Sequence, residues 1–250
     1  MFVFSPTRTT HHLLFLIVLG GLLLAPALAA SEDPPSSPEA RSIVQRGVIE
    51  VGASVGYLQG VKVLMSDSAN RSAVYLLPRI GMVVTDQLGT GYLTGNVTLM
   101  NEPFYAAYYQ PFGASAAGGA LVAKYNFLSF GRWMPYWDMG AGMLWTDLAP
   151  RISEQSTTVN LLLETGPGLQ YFATESIALT MGTRFHHISN AGTGERNQGL
   201  NAVLTYVGMS FFFRARRLAK PGVPRTSPRL ALIMPGEFTL CRIHIHQKSF

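Results

Sequence analysis

Hydrophobic and polar positions alternate along most of the chain between residues 47 and 213. Successive side chains on a β-strand point to opposite faces, so this period of two is typical of strands with one apolar face. Eight segments show the pattern, and each has about the length of a membrane-crossing strand, roughly 9–11 residues or slightly more. These segments span 47–57, 73–84, 91–100, 119–129, 132–145, 158–172, 175–189 and 200–213.

The ionisable residues inside these segments fall on the small or polar faces. They comprise three acids and three bases: Glu50, Asp138, Glu164, Arg79, Lys124 and Arg184. Opposite charges in a narrow interior can neutralise one another, which suits the filled lumen of a small barrel. A soluble β-sandwich or lipocalin-like barrel also alternates, but its charges would face solvent and be far more numerous. We therefore predict an all-β fold, an eight-stranded antiparallel transmembrane β-barrel of the bacterial outer membrane.

Composition supports this prediction. Only 13% of the residues are charged and 48% are hydrophobic, yet no apolar run reaches the roughly 20 residues of a transmembrane helix. The apolar run from Leu13 to Leu24 follows Arg8 and precedes a small-residue cleavage site, as in an export signal. The single cysteine, Cys241, excludes an intramolecular disulfide.

The net charge of +5 is unevenly distributed, because the basic residues concentrate after Phe213. The high pI therefore belongs to a tail, and we predict no binding to nucleic acid. The expected organisation is a signal peptide at 1–29, a flexible periplasmic lead-in at 30–45, the barrel at 46–213 and a basic, disordered tail at 214–250.

The lengths of the links between the predicted strands give an orientation. Outer-membrane barrels have short periplasmic turns and longer extracellular loops, so we expect both termini in the periplasm. The long links are 58–72, 101–118, 146–157 and 190–199, and the short ones are 85–90, 130–131 and 173–174.

His187 and Ser189 lie two residues apart at the end of the seventh predicted strand, so they share one face. An imidazole beside a hydroxyl is the smallest set of groups that can form a base-activated serine nucleophile. The face is the apolar one, which in a membrane barrel contacts lipid, whereas Arg184 and His186 point inward. An ordinary interface residue at headgroup level is the alternative interpretation of such a pair.

The stretch from His187 to Gly192, followed by Asn197 and Gly199, resembles the signature of the outer-membrane lipid A 3-O-deacylase family (PagL-type, acyloxyacyl hydrolase-like). The resemblance covers roughly residues 45–213. It implies a barrel that hydrolyses the ester-linked acyl chain at the 3-position of lipid A in the outer leaflet. It also implies Ser189 as nucleophile, His187 as general base, and Asn190 and Gly192 as oxyanion-stabilising positions.

The chain departs from the family pattern at Asn201, which occupies the position of the acidic triad member. An amide can accept the imidazole N–H and fix its tautomer, but it cannot stabilise imidazolium as a carboxylate does. Glu195 in the adjacent loop is a candidate substitute acid, with a solvated loop acid as the alternative. A slow or rewired deacylase, a non-enzymatic barrel and another lipid esterase, such as a phospholipase, all stay open.

The expected partner is lipid A, or lipopolysaccharide, in the outer leaflet, and a homodimer stays open. Four basic residues of the predicted external loops are candidate contacts to lipid A phosphates: Lys62, Arg71, Arg151 and Arg196. No metal or other cofactor is expected, since the spacing of Cys241, His244 and His246 matches no established zinc pattern.

Overall fold

The computed structural model describes residues 39–63, 66–67 and 70–214. The predicted signal peptide, most of the predicted lead-in and the tail after Arg214 lie outside the described residues. Among the described residues, no helix is long and apolar enough to cross a membrane.

Eight antiparallel strands close into a barrel, as the alternation predicts. Each barrel strand pairs with the barrel strands before and after it in the sequence, and the last strand pairs with the first. A small hairpin of β2 (Lys62–Val63) and β3 (Ser66–Asp67) lies between the first two barrel strands. The barrel strands are β1 (Val48–Gly60), β4 (Ser72–Val83), β5 (Gly95–Gln110), β6 (Ala114–Phe127), β7 (Trp133–Thr146), β8 (Val159–Phe172), β9 (Ile177–Ser189) and β10 (Leu200–Arg214).

The predicted bounds of the third and fourth strands, and of the link between them, are wrong. Residues 101–118 were expected to form a long loop, but β5 continues to Gln110 and β6 begins at Ala114. Along this part of β5, Glu102, Phe104, Ala106 and Tyr108 are buried, while the residues that alternate with them are exposed. The alternation was obscured because an acid occupies an inward position and Pro103 an outward one, next to small residues in β6.

The links therefore divide less cleanly by length than expected. At one end of the barrel, here called the loop end, the links are 61–71, 111–113, 147–158 and 190–199. At the other, the terminal end, they are 84–94, 128–132 and 173–176. The first of these contains a 3₁₀ turn, Gly91–Leu93, where a strand was predicted.

The last residues of the predicted flexible lead-in are ordered. A short helix, α1 (Ala40–Ile43), packs into the terminal end of the barrel, and Ala40 and Val44 are fully buried there beside Phe172 and Phe212. The Asn96 side chain donates a 2.7 Å hydrogen bond to the Val44 carbonyl. Apolar contact and this buried bond together hold residues 39–45 against the barrel strands, in the stretch where the sequence predicts a flexible lead-in.

The interior is filled by an ion-pair network. Arg184 donates to Glu102 at 2.5 Å, to Asp138 at 2.6 Å and to Glu164 at 2.8 Å. Arg79 joins this network through Glu102 at 3.1 Å, and a separate pair links Lys124 to Glu50 at 2.5 Å. All six charges predicted to point inward are buried. Glu102 is buried as well, although it lies in a segment for which the sequence pattern predicts a loop.

Two tyrosines complete the interior because glycines make room for them. A Cβ at Gly168 would lie 2.0 Å from the Tyr136 ring, and one at Gly182 would lie 2.5 Å from the Tyr206 ring. The two tyrosine hydroxyls are 2.8 Å apart. The outer surface is apolar instead, with exposed side chains that include Val55, Leu76, Ile80, Leu99, Leu121, Met139, Leu163, Leu179 and Val207.

Candidate active site

β9 places His187 and Ser189 on the outside of the barrel near the loop end. Both are half-buried, and the preceding outward residue, Phe185, is exposed. The neighbours Arg184 and His186 point into the interior, where both are buried. Strand parity therefore separates the two histidines as the sequence pattern predicts.

Asn201 lies directly across the ladder from His187, at the start of β10. The His187 Nδ1 and Asn201 Oδ1 atoms are 2.6 Å apart. An amide oxygen can only accept, so Nδ1 carries the hydrogen and Nε2 keeps its lone pair. This tautomer is the one that a general base acting through Nε2 requires.

Gly199 allows the imidazole to occupy this position. Its φ is +72°, a left-handed conformation that favours glycine, and a Cβ there would lie 2.8 Å from His187 Cε1. The sequence pattern contained this glycine, but only the structure shows that it packs against the histidine.

The link 190–199 begins with a turn built by the Asn190 side chain. Asn190 Oδ1 accepts the Gly192 N–H at 3.0 Å, and Asn190 Nδ2 donates to the Arg196 carbonyl at 2.8 Å. Ala191 and Gly192 both have positive φ, at 52° and 78°. Both groups expected to stabilise an oxyanion thus lie beside Ser189, where they hold the shape of the loop.

A second loop fixes the first, and sequence reasoning missed it. Gln155, fully buried in the link 147–158, donates to Asn197 Oδ1 at 3.1 Å, and the same oxygen accepts the Asn190 N–H at 3.1 Å. The Gln198 N–H donates to the Glu154 carbonyl at 2.9 Å. A buried amide in a loop has no distinctive sequence pattern, so nothing in the chain singled out Gln155.

Neither nearby acid is paired with His187. Glu195 is exposed in the link 190–199, and among the described residues its carboxylate makes no ion pair. Glu164 is held inside the barrel by Arg184 and lies 3.4 Å from His186 Nδ1. The described partner of the His187 Nδ1 atom is therefore the Asn201 amide.

The basic residues proposed as phosphate contacts differ in their surroundings. Arg71 is buried and pairs with Glu154 at 2.7 Å. Although burial raises the pKa of the Glu154 carboxyl, its hydrogen bond to Arg71 and the Arg71 charge hold that pKa below its ordinary value. Arg151 donates to the Gly113 carbonyl at 3.0 Å.

Arg196 and Lys62, like Arg151, are exposed. Arg196 donates to the carbonyls of Ile152 and Gln155, at 3.3 and 3.1 Å, and is otherwise open to solvent. Lys62 is exposed on β2 and pairs in register with Asp67 on β3. All four bases lie at the loop end, and hydrogen bonds or an ion pair fix Arg71, Arg151 and Arg196 in place.

Two grooves in the outer surface of the barrel flank Ser189. The apolar groove, of about 690 Å³, crosses the barrel from β5 to β9 and ends at His187, and its outward-facing walls include Leu99, Leu121, Met139, Ala141, Leu163 and Phe185. The loop groove, of about 540 Å³, has Met143, Val159 and Leu161 as its floor and Ser156, Thr158, Asn190 and Thr193 along its rim. Ser189 pairs with Leu161 and so lies between the two.

A cluster of three or more histidine, cysteine or acidic side chains able to hold a metal ion does not occur among the described residues. The site consists of an imidazole, a hydroxyl and amides, beside an apolar groove. Such a set can perform nucleophilic acyl transfer with residues of the protein alone.

Two solved structures are similar to this chain. The chain is similar to the outer membrane enzyme PagL, with 18% identity over 64% of this chain and 97% of that chain and a TM-score of 0.45. It is also similar to the N-terminal β-barrel domain of Pseudomonas aeruginosa OprF, with 16% identity over 67% of this chain and 98% of that chain and a TM-score of 0.42. Among curated proteins, none matches the chain.

The family model described as lipid A 3-O-deacylase (PagL) matches residues 74–210, which is more than half of the chain. The matched region runs from β4 into β10 and includes His187, Ser189 and Asn201. The chain therefore belongs to the lipid A 3-O-deacylase (PagL) family, and its barrel is that of an integral outer-membrane protein.

Proposed function

We propose that this protein is an esterase that removes the 3-O-linked acyl chain of lipid A at the outer leaflet. The observation that supports this most directly is the 2.6 Å contact between His187 Nδ1 and Asn201 Oδ1. His187 lies on the same strand as Ser189. The contact orients an imidazole base two residues from a hydroxyl, on a surface that faces lipid. A soluble ester would not need a site in that position.

In the proposed reaction, the Ser189 hydroxyl oxygen attacks the ester carbonyl carbon while His187 Nε2 accepts its proton. The N–H groups of Asn190 and Gly192, which donate within the loop in the resting structure, would turn to the tetrahedral oxyanion and stabilise it. Collapse of the intermediate breaks the bond to the sugar oxygen, which takes the proton back from His187. Water then attacks the acyl-serine, again with His187 as base, and releases the free fatty acid.

The apolar groove supports a lipid substrate. It crosses five strands and, at about 4.8 Å per strand, spans roughly 19 Å. One end of this groove is lined by His187, so an acyl chain lying in it would present its carbonyl to the catalytic pair. The chain would exchange membrane lipid for protein contacts without leaving an apolar environment.

The proposed orientation puts the loop end outside the cell and both termini in the periplasm. The longer links 147–158 and 190–199 then face outward, and the shorter links 128–132 and 173–176 face the periplasm. In this orientation Lys62 and Arg196 are exposed at headgroup level, where they can meet lipid A phosphates.

Asn201 favours one competing proposal, a barrel that keeps the family fold without its activity. A carboxylate stabilises the imidazolium formed in the transition state, and the amide lacks that charge. Glu195 plays no part in the mechanism above.

Lipid A analysis distinguishes these proposals. The full chain is expressed in an outer membrane, and the molecular mass of the extracted lipid A is measured by mass spectrometry. We expect loss of one hydroxyacyl chain with the native chain and an unmodified profile with Ser189→Ala. An unmodified profile from a folded native barrel would favour the non-enzymatic alternative, and fatty acid released only from phospholipid would indicate a phospholipase.

A further inference from the structure

The loop groove differs chemically from the apolar groove, although the two flank the same serine. Its floor is apolar, but hydroxyl and amide side chains line its rim, including Ser156, Thr157, Asn190 and Thr193. None of the residues that line it is charged. A groove with an apolar floor and a neutral hydrogen-bonding rim suits a polyhydroxylated ring, which has apolar C–H faces and polar edges.

The position of the groove relative to Ser189 determines which part of an ester it can receive. Leu161, on its floor, is the cross-strand partner of Ser189, and Asn190, on its rim, is the next residue in the chain. His187 and Leu163 line the apolar groove on the other side. An ester bound at Ser189 would therefore direct its acyl part into the apolar groove and its alcohol part into the loop groove.

We propose that the loop groove is the subsite for the alcohol part of the substrate, a neutral sugar ring that bears the ester. This inference rests on the proposed function and extends it by assigning the leaving group to named residues. The absence of charge on the lining residues places the phosphates of the substrate outside this groove. The subsite would also discriminate against phospholipids, whose ester alcohol is a flexible glycerol next to a phosphate.

Thr158 provides a clean probe of this subsite. Its side chain is exposed in the groove, and among the described residues no hydrogen bond depends on its hydroxyl. By contrast, the Thr193 hydroxyl donates to the Asn190 carbonyl at 2.7 Å, so its removal would also disturb the turn beside Ser189. Thr158→Trp therefore fills the groove without removing a bond that shapes the site.

The test compares two esters with the same acyl chain, one on glucosamine and one on methanol. Misplacement of the sugar by Thr158→Trp should lower kcat/KM for the glucosamine ester by about 10- to 100-fold. The methyl ester should be cleaved at the native rate, because methanol leaves the loop groove empty. Thr90→Trp, the same change at an exposed position of the terminal end, is the matched control and should affect neither ester.

Equal loss on both esters would show a general disturbance of the site and overturn the assignment, as would no loss on either. Binding of the glucosamine ester to Ser189→Ala protein in micelles, measured by calorimetry, separates this proposal from the catalytic one. If Thr158→Trp weakens that binding while the native chain shows no turnover, the proposed function fails and the subsite stands. Unchanged binding in the Thr158→Trp variant would refute the subsite.

Discussion

Replacement of Asn201 by aspartate tests whether the amide limits the rate. Asp has the same length as Asn, so Asn201→Asp places a carboxylate oxygen where Oδ1 now lies, 2.6 Å from His187 Nδ1. The tautomer is already fixed by the amide. The substitution therefore adds a charge beside the imidazole and exchanges the side-chain NH2 donor for a carboxylate oxygen.

The size of the effect follows from the separation of the charges. A carboxylate and an imidazolium about 4 Å apart attract by about 1 kcal/mol in bulk water and about 4 kcal/mol at an effective dielectric constant near 20. Asn201 is 8% exposed, so the upper part of this range applies. Each ~1.36 kcal/mol is tenfold in rate, and we expect kcat to rise by about 100- to 1000-fold.

Esterase assays in detergent micelles would measure this gain. Asn201→Leu, which removes the acceptor, should lower the rate. A folded Asn201→Asp barrel with an unchanged rate would refute the proposed role of His187.

Two further predictions concern stability rather than catalysis. Arg184→Met leaves three buried carboxylates without their shared cation, so we expect it to lower the free energy of unfolding by about 3–5 kcal/mol. Arg46→Met, in an exposed pair with Asp86, should lower it by under about 1 kcal/mol. Urea unfolding followed by gel mobility measures both losses, and equal losses would contradict this assignment. The lowered pKa of Glu154 means that its pairing with Arg71 stabilises the loops at neutral pH and is lost as pH falls through that lowered value. Limited proteolysis of the loops should therefore increase only in strong acid for the native chain but already at neutral pH for Glu154→Gln, and identical cleavage of the two would contradict the role of the pair.

Much of the barrel could be predicted because strand parity depends only on local sequence. Glu50, Lys124 and Arg184 lie on faces of small residues, so their burial followed from alternation alone. Parity failed around Glu102, because its inward face also carries Met100 and Phe104 while the outward face carries Asn101 and Pro103, so neither face is clearly apolar. That acid is tolerated because it pairs with Arg79 and Arg184. Both arginines lie on other strands, so no local sequence pattern contains this information.

The candidate site divides in the same way. The shared face of His187 and Ser189 follows from their spacing, and the pairing of Asn201 with His187 follows from the register of two adjacent strands. Gln155 could not be predicted, because its contact with Asn197 joins two irregular loops. The two grooves likewise depend on the relative heights of side chains from several strands, which only packing determines.

Covalent labelling of Ser189 tests the central claim most directly. The purified full-length barrel would be treated with a long-chain alkyl fluorophosphonate, which reacts with activated serines, and the labelled residue located by peptide mass spectrometry. We predict a single adduct on Ser189 that disappears in Ser189→Ala and falls sharply in His187→Ala. A folded native barrel that takes no label, or takes it equally without His187, would contradict the account.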